Sequence, residues 1–237
     1  MMFTKQYVSF SLLLCAAVLL GTLLLSRLGT AVAVMSAQQD TAQTVVIDPG
    51  HGGVDGGAVS VTGVHESGIN LEISLRLRDL LELLGVRTAI VRETDISIHT
   101  LGTTISQKKV SDIRNRVEFV AHTPGALLVS IHQNQFQESK YRGAQVFYAK
   151  TTGSQPLAER LQSQLAAQLD PNNHRQCKKA TDIYLMEHVQ CPAVLVECGF
   201  LSNRTEEALL RDATYQKKLA AVIACTLHNH LEANHEV

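Results

Sequence analysis

Tryptophan is absent from this 237-residue chain, and aromatic residues of all kinds make up 5% of it. Charge is nearly balanced, with a formal net charge of -1. A protein that grips nucleic acid needs a basic face and rings to stack on bases, so the composition argues against that class of partner. Cysteine is sparse: there are five, and no two stand as Cys-x-x-Cys, which removes a zinc knuckle and a thioredoxin-like motif. Cys177, Cys191, Cys198 and Cys225 are irregularly spaced, so they permit one or two disulfides and demand none. Internal repeats and low-complexity tracts are also missing. No Gly-Lys-Ser/Thr or Gly-x-Gly-x-x-Gly opens a helix, so the glycines present do not make a nucleotide loop.

One long apolar run is present. Val8 to Leu25 is interrupted only by Ser9, Ser11, Cys15, Gly21 and Thr22, with Lys5 before it and Arg27 after it. A run of this kind is an export segment. Its length approaches the roughly 20 residues that span a bilayer, which favours a retained anchor, while Ala31-Val32-Ala33 and Ser36-Ala37 offer small residues for signal cleavage. Residues 1–37 are therefore expected to be a signal peptide or membrane anchor with a short linker, and 38–237 a globular domain outside the cytoplasm.

The remainder alternates in period. Thr44 to Ile47 is a β-branched apolar run stopped by Pro49 and Gly50, which reads as a buried strand. From Gly68 an apolar stripe through Ile69, Ile73, Leu77 and Leu84 predicts a helix of about 17 residues that breaks at Gly85. Val86–Val91 reads as a strand and Arg92–Val110 as a loop. Ser111-Asp112 is positioned to cap a helix to His122 that turns Arg114 and Arg116 to solvent. Strands follow at 126–131, 144–148 and 193–196, with a helix at 155–169 and one or two helices from 206 to 231. Alternation of this kind predicts a single α/β domain, a twisted and mostly parallel sheet with helices on both faces.

Three of these strands end in an ionisable residue set in a polar or glycine-containing motif: His51 in DPGHGG, His132 in SIHQN and Glu197 in VECGFLSN. Carboxyl ends of parallel strands share one edge, where open α/β sheets bind ligands, so these distant residues converge. Glu66, at the start of the first long helix, joins them. Two histidines and a carboxylate form a set that holds catalytic zinc with a position left for water. The second carboxylate is then free to take a proton from that water and return it to a leaving nitrogen. Asn134, two residues past His132, is a candidate to orient a ligand or a substrate group. Arg92 either pairs locally with Asp95 or faces substrate. His65 is expected to point away from the site, and Asn203 to cap the following helix.

Four motifs in order, VVIDPGHGGVDGGA, HESGINLEISLRL, VSIHQN and PAVLVECGFLSN, are similar to those of the type 3 family of zinc-dependent N-acetylmuramoyl-L-alanine amidases. The resemblance runs from about Thr44 to the last helix. It implies a phosphorylase/hydrolase-like fold and one Zn2+ per chain held by His51, Glu66 and His132, with Glu197 as general base and acid. Its substrate would be the amide between muramic acid and the L-alanine of a peptidoglycan stem peptide. Gln133 and Gln135-Phe136 depart from the usual SIHAN or SIHSN. A short Arg92–Asp112 connection leaves no room for a long plugging helix. With no wall-binding domain, the chain most resembles the sporulation and germination type, which acts on spore cortex so that muramic δ-lactam forms, and it is expected on the cortex side of the forespore with an accessory activator protein. Two other classes stay open on the residues alone: a wall-binding protein without catalysis, and another zinc hydrolase such as a peptidase or deacetylase.

Overall fold

The computed structural model describes residues 43–235. The export segment, its boundary at residue 37 and the choice between anchor and cleaved signal lie outside the described residues. Among those described, no helix is long and apolar enough to cross a membrane.

Among the described residues, six strands and six helices follow one another. They are β1 (Thr44–Pro49), α1 (Glu66–Leu83), β2 (Thr88–Ile90), α2 (Ile105–Ala121), β3 (Ala126–Asn134), β4 (Gln145–Tyr148), α3 (Ser154–Leu169), β5 (Lys178–Lys179), α4 (Tyr184–His188), β6 (Ala193–Phe200), α5 (Arg204–Leu210) and α6 (Ala213–His235). The strands form one sheet in the order β2-β1-β3-β6-β4-β5. β2, β1, β3 and β6 pair in parallel, whereas β4 runs antiparallel to β6, so the sheet is mixed.

Strand alternation divides the core between two faces. Val45 and Ile47 of β1 and Val129 and Ile131 of β3 point to one side, where Ile73 and Leu77 of α1, Leu161 of α3 and Ile223 of α6 cover them. Val46, Leu128 and Leu195 point to the other side, against Val120 of α2 and Leu185 and Met186 of α4. β1 is buried along its whole length, which is why it reads as a continuous apolar run rather than as an alternating one.

Several boundaries depart from the sequence reading. α2 begins at Ile105, where Thr104 accepts from Gln107 N and the Gln107 side chain returns to Thr104 N as a full capping box. Ser111 and Asp112 are therefore buried helix interior rather than a cap. α1 starts at Glu66, two residues before the expected Gly68, and ends where Gly85 adopts a left-handed φ of 76°. Asn203 does cap α5, its side chain accepting from Thr205 N and Glu206 N. The four described cysteines are all free thiols.

Candidate metal centre

His51 follows the end of β1 in the left-handed region, at φ 61°. Its Nδ1 lies 2.9 Å from Asp55 Oδ2, which leaves Nε2 to face Glu66 Oε2 at 3.3 Å. On the other side of Glu66, His132 Nδ1 is 3.0 Å from Oε1. The two imidazoles stand edge to face with centroids 5.0 Å apart. One ligand atom from each of His51, Glu66 and His132 falls within a common 4.8 Å.

Glu66 is held from every direction. It opens α1, where a carboxylate suits the positive end of the helix dipole. Its Oε1 accepts from Asn70 Nδ2 at 3.0 Å and Gln133 N at 3.1 Å, and its Oε2 accepts from Ala58 N at 2.9 Å. Burial disfavours its charge, yet the hydrogen bonds and charges of His132 and His51 outweigh burial and hold it well below the usual carboxylate range. Burial likewise works against a charged His51, but bonds to Asp55 and Glu66 prevail and raise its pKa to about 9. A metal binding here must displace that proton, because only the neutral imidazole is a ligand. Two imidazoles and one carboxylate, with carboxylate and amide partners behind them, are a donor set that fits zinc.

Space for this arrangement comes from glycine. A Cβ on Gly50 would lie 2.2 Å from the His132 ring, and one on Gly57 would lie 2.6 Å from Glu66 Oε2 and 2.7 Å from His51 Cδ2. Beside the histidines a cavity of about 140 Å³ opens, bordered by Asp55, Lys109, Ile183 and Leu195.

Glu197 stands across from His132 in the β3–β6 register. Its Oε2 is buried and has no hydrogen-bond partner. Burial raises its pKa to about 7, with the Glu66 charge adding to the rise and the two histidines opposing it. A carboxylate with an unused oxygen and a pKa near neutrality can both accept and donate a proton.

Two buried guanidiniums underlie the His51 loop. Arg116 donates to Asp48 Oδ1, to Asp112 Oδ2 at 2.6 Å, and to the carbonyls of Pro49 and His51 at 2.9 and 2.7 Å. Asp48 in turn accepts from Ser130 Oγ at 2.6 Å, two residues before His132. Arg116 is 2% exposed, which corrects the expectation of a solvated helix face, whereas Arg114 is exposed as expected. Arg92 is also 2% exposed. Its Nε, Nη1 and Nη2 donate to the carbonyls of Pro49, Thr94, Gly50 and Ser67, so its guanidinium holds backbone. Asp95 accepts from Gly53 N instead of pairing with it.

Composition and spacing did not point to Asp55, Asn70, Asp48 or Arg116. Asn70 had a signal, being one helical turn past Glu66 on the same face. Asn134 ends β3 with its carbonyl bonded to Leu201 N at 2.8 Å. His65 is exposed and outside the metal-ligand group.

Residues 45–229 match the family model for N-acetylmuramoyl-L-alanine amidase. The chain belongs to that amidase family. It is 39% identical over 181 residues to the germination-specific N-acetylmuramoyl-L-alanine amidase of Bacillus subtilis (strain 168), which covers 76% of each chain. Against the amidase LytC of the same organism the identity is 31% over 184 residues, 76% of this amidase but 34% of LytC. Among solved structures, the CwlD amidase of Clostridioides difficile, in complex with the GerS lipoprotein, superposes with a TM-score of 0.78 at 40% identity, covering 81% of this chain and 99% of that one.

Proposed function

We propose that this amidase is zinc-dependent, with His51, Glu66 and His132 holding one Zn2+ and Glu197 moving the proton. The observation that carries the reading is the pairing of a ligand triangle within 4.8 Å with a carboxylate whose buried oxygen has no partner. Zinc, when bound, supplies a Lewis acid that polarises the scissile carbonyl and acidifies a water. Glu197 accepts a proton from the attacking water and delivers it to the amide nitrogen as the C–N bond breaks, releasing peptide amine from muramic acid. Asp55 keeps His51 Nδ1 occupied, so that Nε2 presents a lone pair. Asn134 is assigned to a substrate group at the end of β3.

The likeness to the germination-specific relative supports a biological setting. We place the substrate in spore cortex peptidoglycan, where removal of stem peptides exposes the muramic carboxyl for δ-lactam formation. Residues 1–37 export or anchor the chain and 38–237 form the catalytic domain, on the outer side of the cytoplasmic membrane facing the cortex. The GerS complex of the Clostridioides difficile relative supports an accessory protein partner for this chain as well.

Mass spectrometry of digested cortex peptidoglycan tests the reaction. Intact stem peptides and peptide-free muramic acid are expected. Cleavage between amino acids, or loss of acetyl groups alone, would replace the reading with a peptidase or a deacetylase.

A further inference from the structure

Beyond His132 the chain leaves β3 through Asn134 and Gln135 and presents Phe136, 55% exposed, at the sheet edge that carries the metal centre. An exposed phenylalanine is ordinarily free to swing, but this one is built in. Its ring packs edge to face on Tyr141, centroids 4.9 Å apart at 69°. Tyr141 stacks on Phe200 at 6.3 Å and 29°, and the Arg175 guanidinium sits 4.6 Å from the Phe200 ring. The loop carrying exposed Phe136 and half-buried Tyr141 is pinned along its length. Phe136 N donates to Ser202 Oγ at 3.1 Å, and Asn203 Nδ2 donates to Ser139 O at 2.8 Å. Arg175 Nε donates to Arg142 O at 2.7 Å, and Gly143 N to Glu206 Oε1 at 2.8 Å.

The platform is continuous with the catalytic edge. Gln135 Nε2 donates to Val59 O at 3.0 Å, and the neighbouring Ala58 N donates to Glu66 Oε2. Phe136 lies four residues past His132, so an extended chain puts the two at most roughly 13 Å apart. Gln135 and Gln137, its neighbours in sequence, are exposed and carry amides, the Gln135 Nε2 being bonded to Val59 O.

We propose that Phe136, backed by Tyr141, is a glycan subsite that receives the C–H face of a hexopyranose ring adjacent to the muramic residue under attack. A pyranose is amphipathic: C–H bonds cover its face, while hydroxyl and N-acetyl groups line its rim. A fixed ring with amide side chains next to it in sequence matches that pattern, since aromatic side chains supply a rigid apolar face at low entropic cost. The subsite rests on the amidase reading and extends it. It makes the enzyme select glycan strands over isolated muramoyl peptides.

The zinc-loaded, full-length protein is assayed on two substrates, N-acetylmuramic acid carrying a stem peptide and a tetrasaccharide of alternating N-acetylglucosamine and N-acetylmuramic acid carrying the same peptide. In Phe136→Ala the ratio of kcat/KM for tetrasaccharide over monosaccharide is expected to fall about tenfold, carried by KM, the change that ~1.4 kcal/mol of stacking makes. Phe136→Tyr is expected to restore it. An unchanged ratio overturns the subsite, and a wild type that cleaves neither substrate overturns the amidase reading instead. A second arm does not depend on catalysis. The chain has no tryptophan, so Phe136→Trp gives a single-tryptophan reporter. Its fluorescence is expected to shift on titration with peptide-free tetrasaccharide. Silence at saturating sugar, or a response only to a co-purified protein, overturns the proposal and assigns the ring to a protein interface.

Discussion

The carbonyl of Pro49 accepts hydrogen bonds from two different arginines, Arg92 Nε and Arg116 Nη1, each at 2.9 Å. Two guanidiniums sharing one acceptor repel each other: burial and the Arg116 charge push the Arg92 pKa down to about 10. That repulsion is tolerated where it holds the loop before His51 from two sides. Arg92 also bonds Gly50 and Ser67, so it links the backbone beside His51 to the backbone beside Glu66. Arg116 reaches β3 through Asp48 and Ser130. Together they connect the supports of all three candidate ligands.

Arg92→Lys and Arg116→Lys keep the charge and lose the fork. Each is expected to weaken zinc binding by about 10- to 100-fold, the range seen when partners behind metal ligands are lost. Competition against a chelator measures it. Wild-type affinity in both variants would mean that the clamp is structural only.

Asp48 is the buried counter-charge of Arg116, and Asp48→Ala leaves that guanidinium short of a partner. A loss of about 3–5 kcal/mol in urea unfolding is expected. Burial raises the Asp48 pKa, but Arg116 and the Ser130 bond outweigh it and hold it below 3.8. A depressed carboxylate pKa contributes stability that is present above the unfolded value and lost as pH falls through the folded one. The stability gap between wild type and Asp48→Asn should therefore be steady near neutrality and close in strong acid. A gap that instead widened on acidification would contradict this pairing.

Gly50→Ala puts a methyl group where the His132 ring sits. Loss of metal and of activity is expected with the fold retained, visible as zinc content below one tenth of wild type beside an unchanged far-ultraviolet spectrum. Gly68→Ala is the contrasting substitution: nothing lies within 4 Å of its new Cβ, and it sits inside α1. It should raise stability by about 0.5–1 kcal/mol.

Glu197 must be unprotonated to accept a proton, so kcat/KM should rise with pH along an acid limb. Burial places its metal-free pKa at about 7, and a bound cation lowers it, so the midpoint is expected at or below that value. Glu197→Gln should keep zinc and lose about 10²–10⁴ in kcat. Retained turnover in that variant would remove Glu197 from the reaction.

His51, Glu66, His132 and Glu197 were legible because each stands where an apolar run or stripe meets a polar motif, and sheet topology then brings such ends together. The support beneath them was not. Asp112 and Arg116 are spaced i,i+4, which on sequence alone is a solvated helix pair, and Ser111-Asp112 imitates a cap. What overrode that reading was packing: α2 begins at the Thr104–Gln107 capping box, and its Asp112–Arg116 side lies beneath β1, where Arg116 meets Asp48 and Pro49. β5 consists of two exposed lysines and carries no apolar signal at all. The antiparallel direction of β4 depends on where the 135–143 loop is tied, and those ties come from α5 and the segment before it, far along the chain.

The candidate ligands are also distant in sequence, Glu66 and His132 being 66 residues apart and joined only once β1, β3 and α1 have packed. No partly folded segment carries the whole set, and closing such separations is slow compared with forming a local helix. On the proposed zinc reading, metal capture would then be the last event of maturation. Activity would stay silent until the tertiary structure is complete, and a metal that binds only the folded state would draw the folding equilibrium forward.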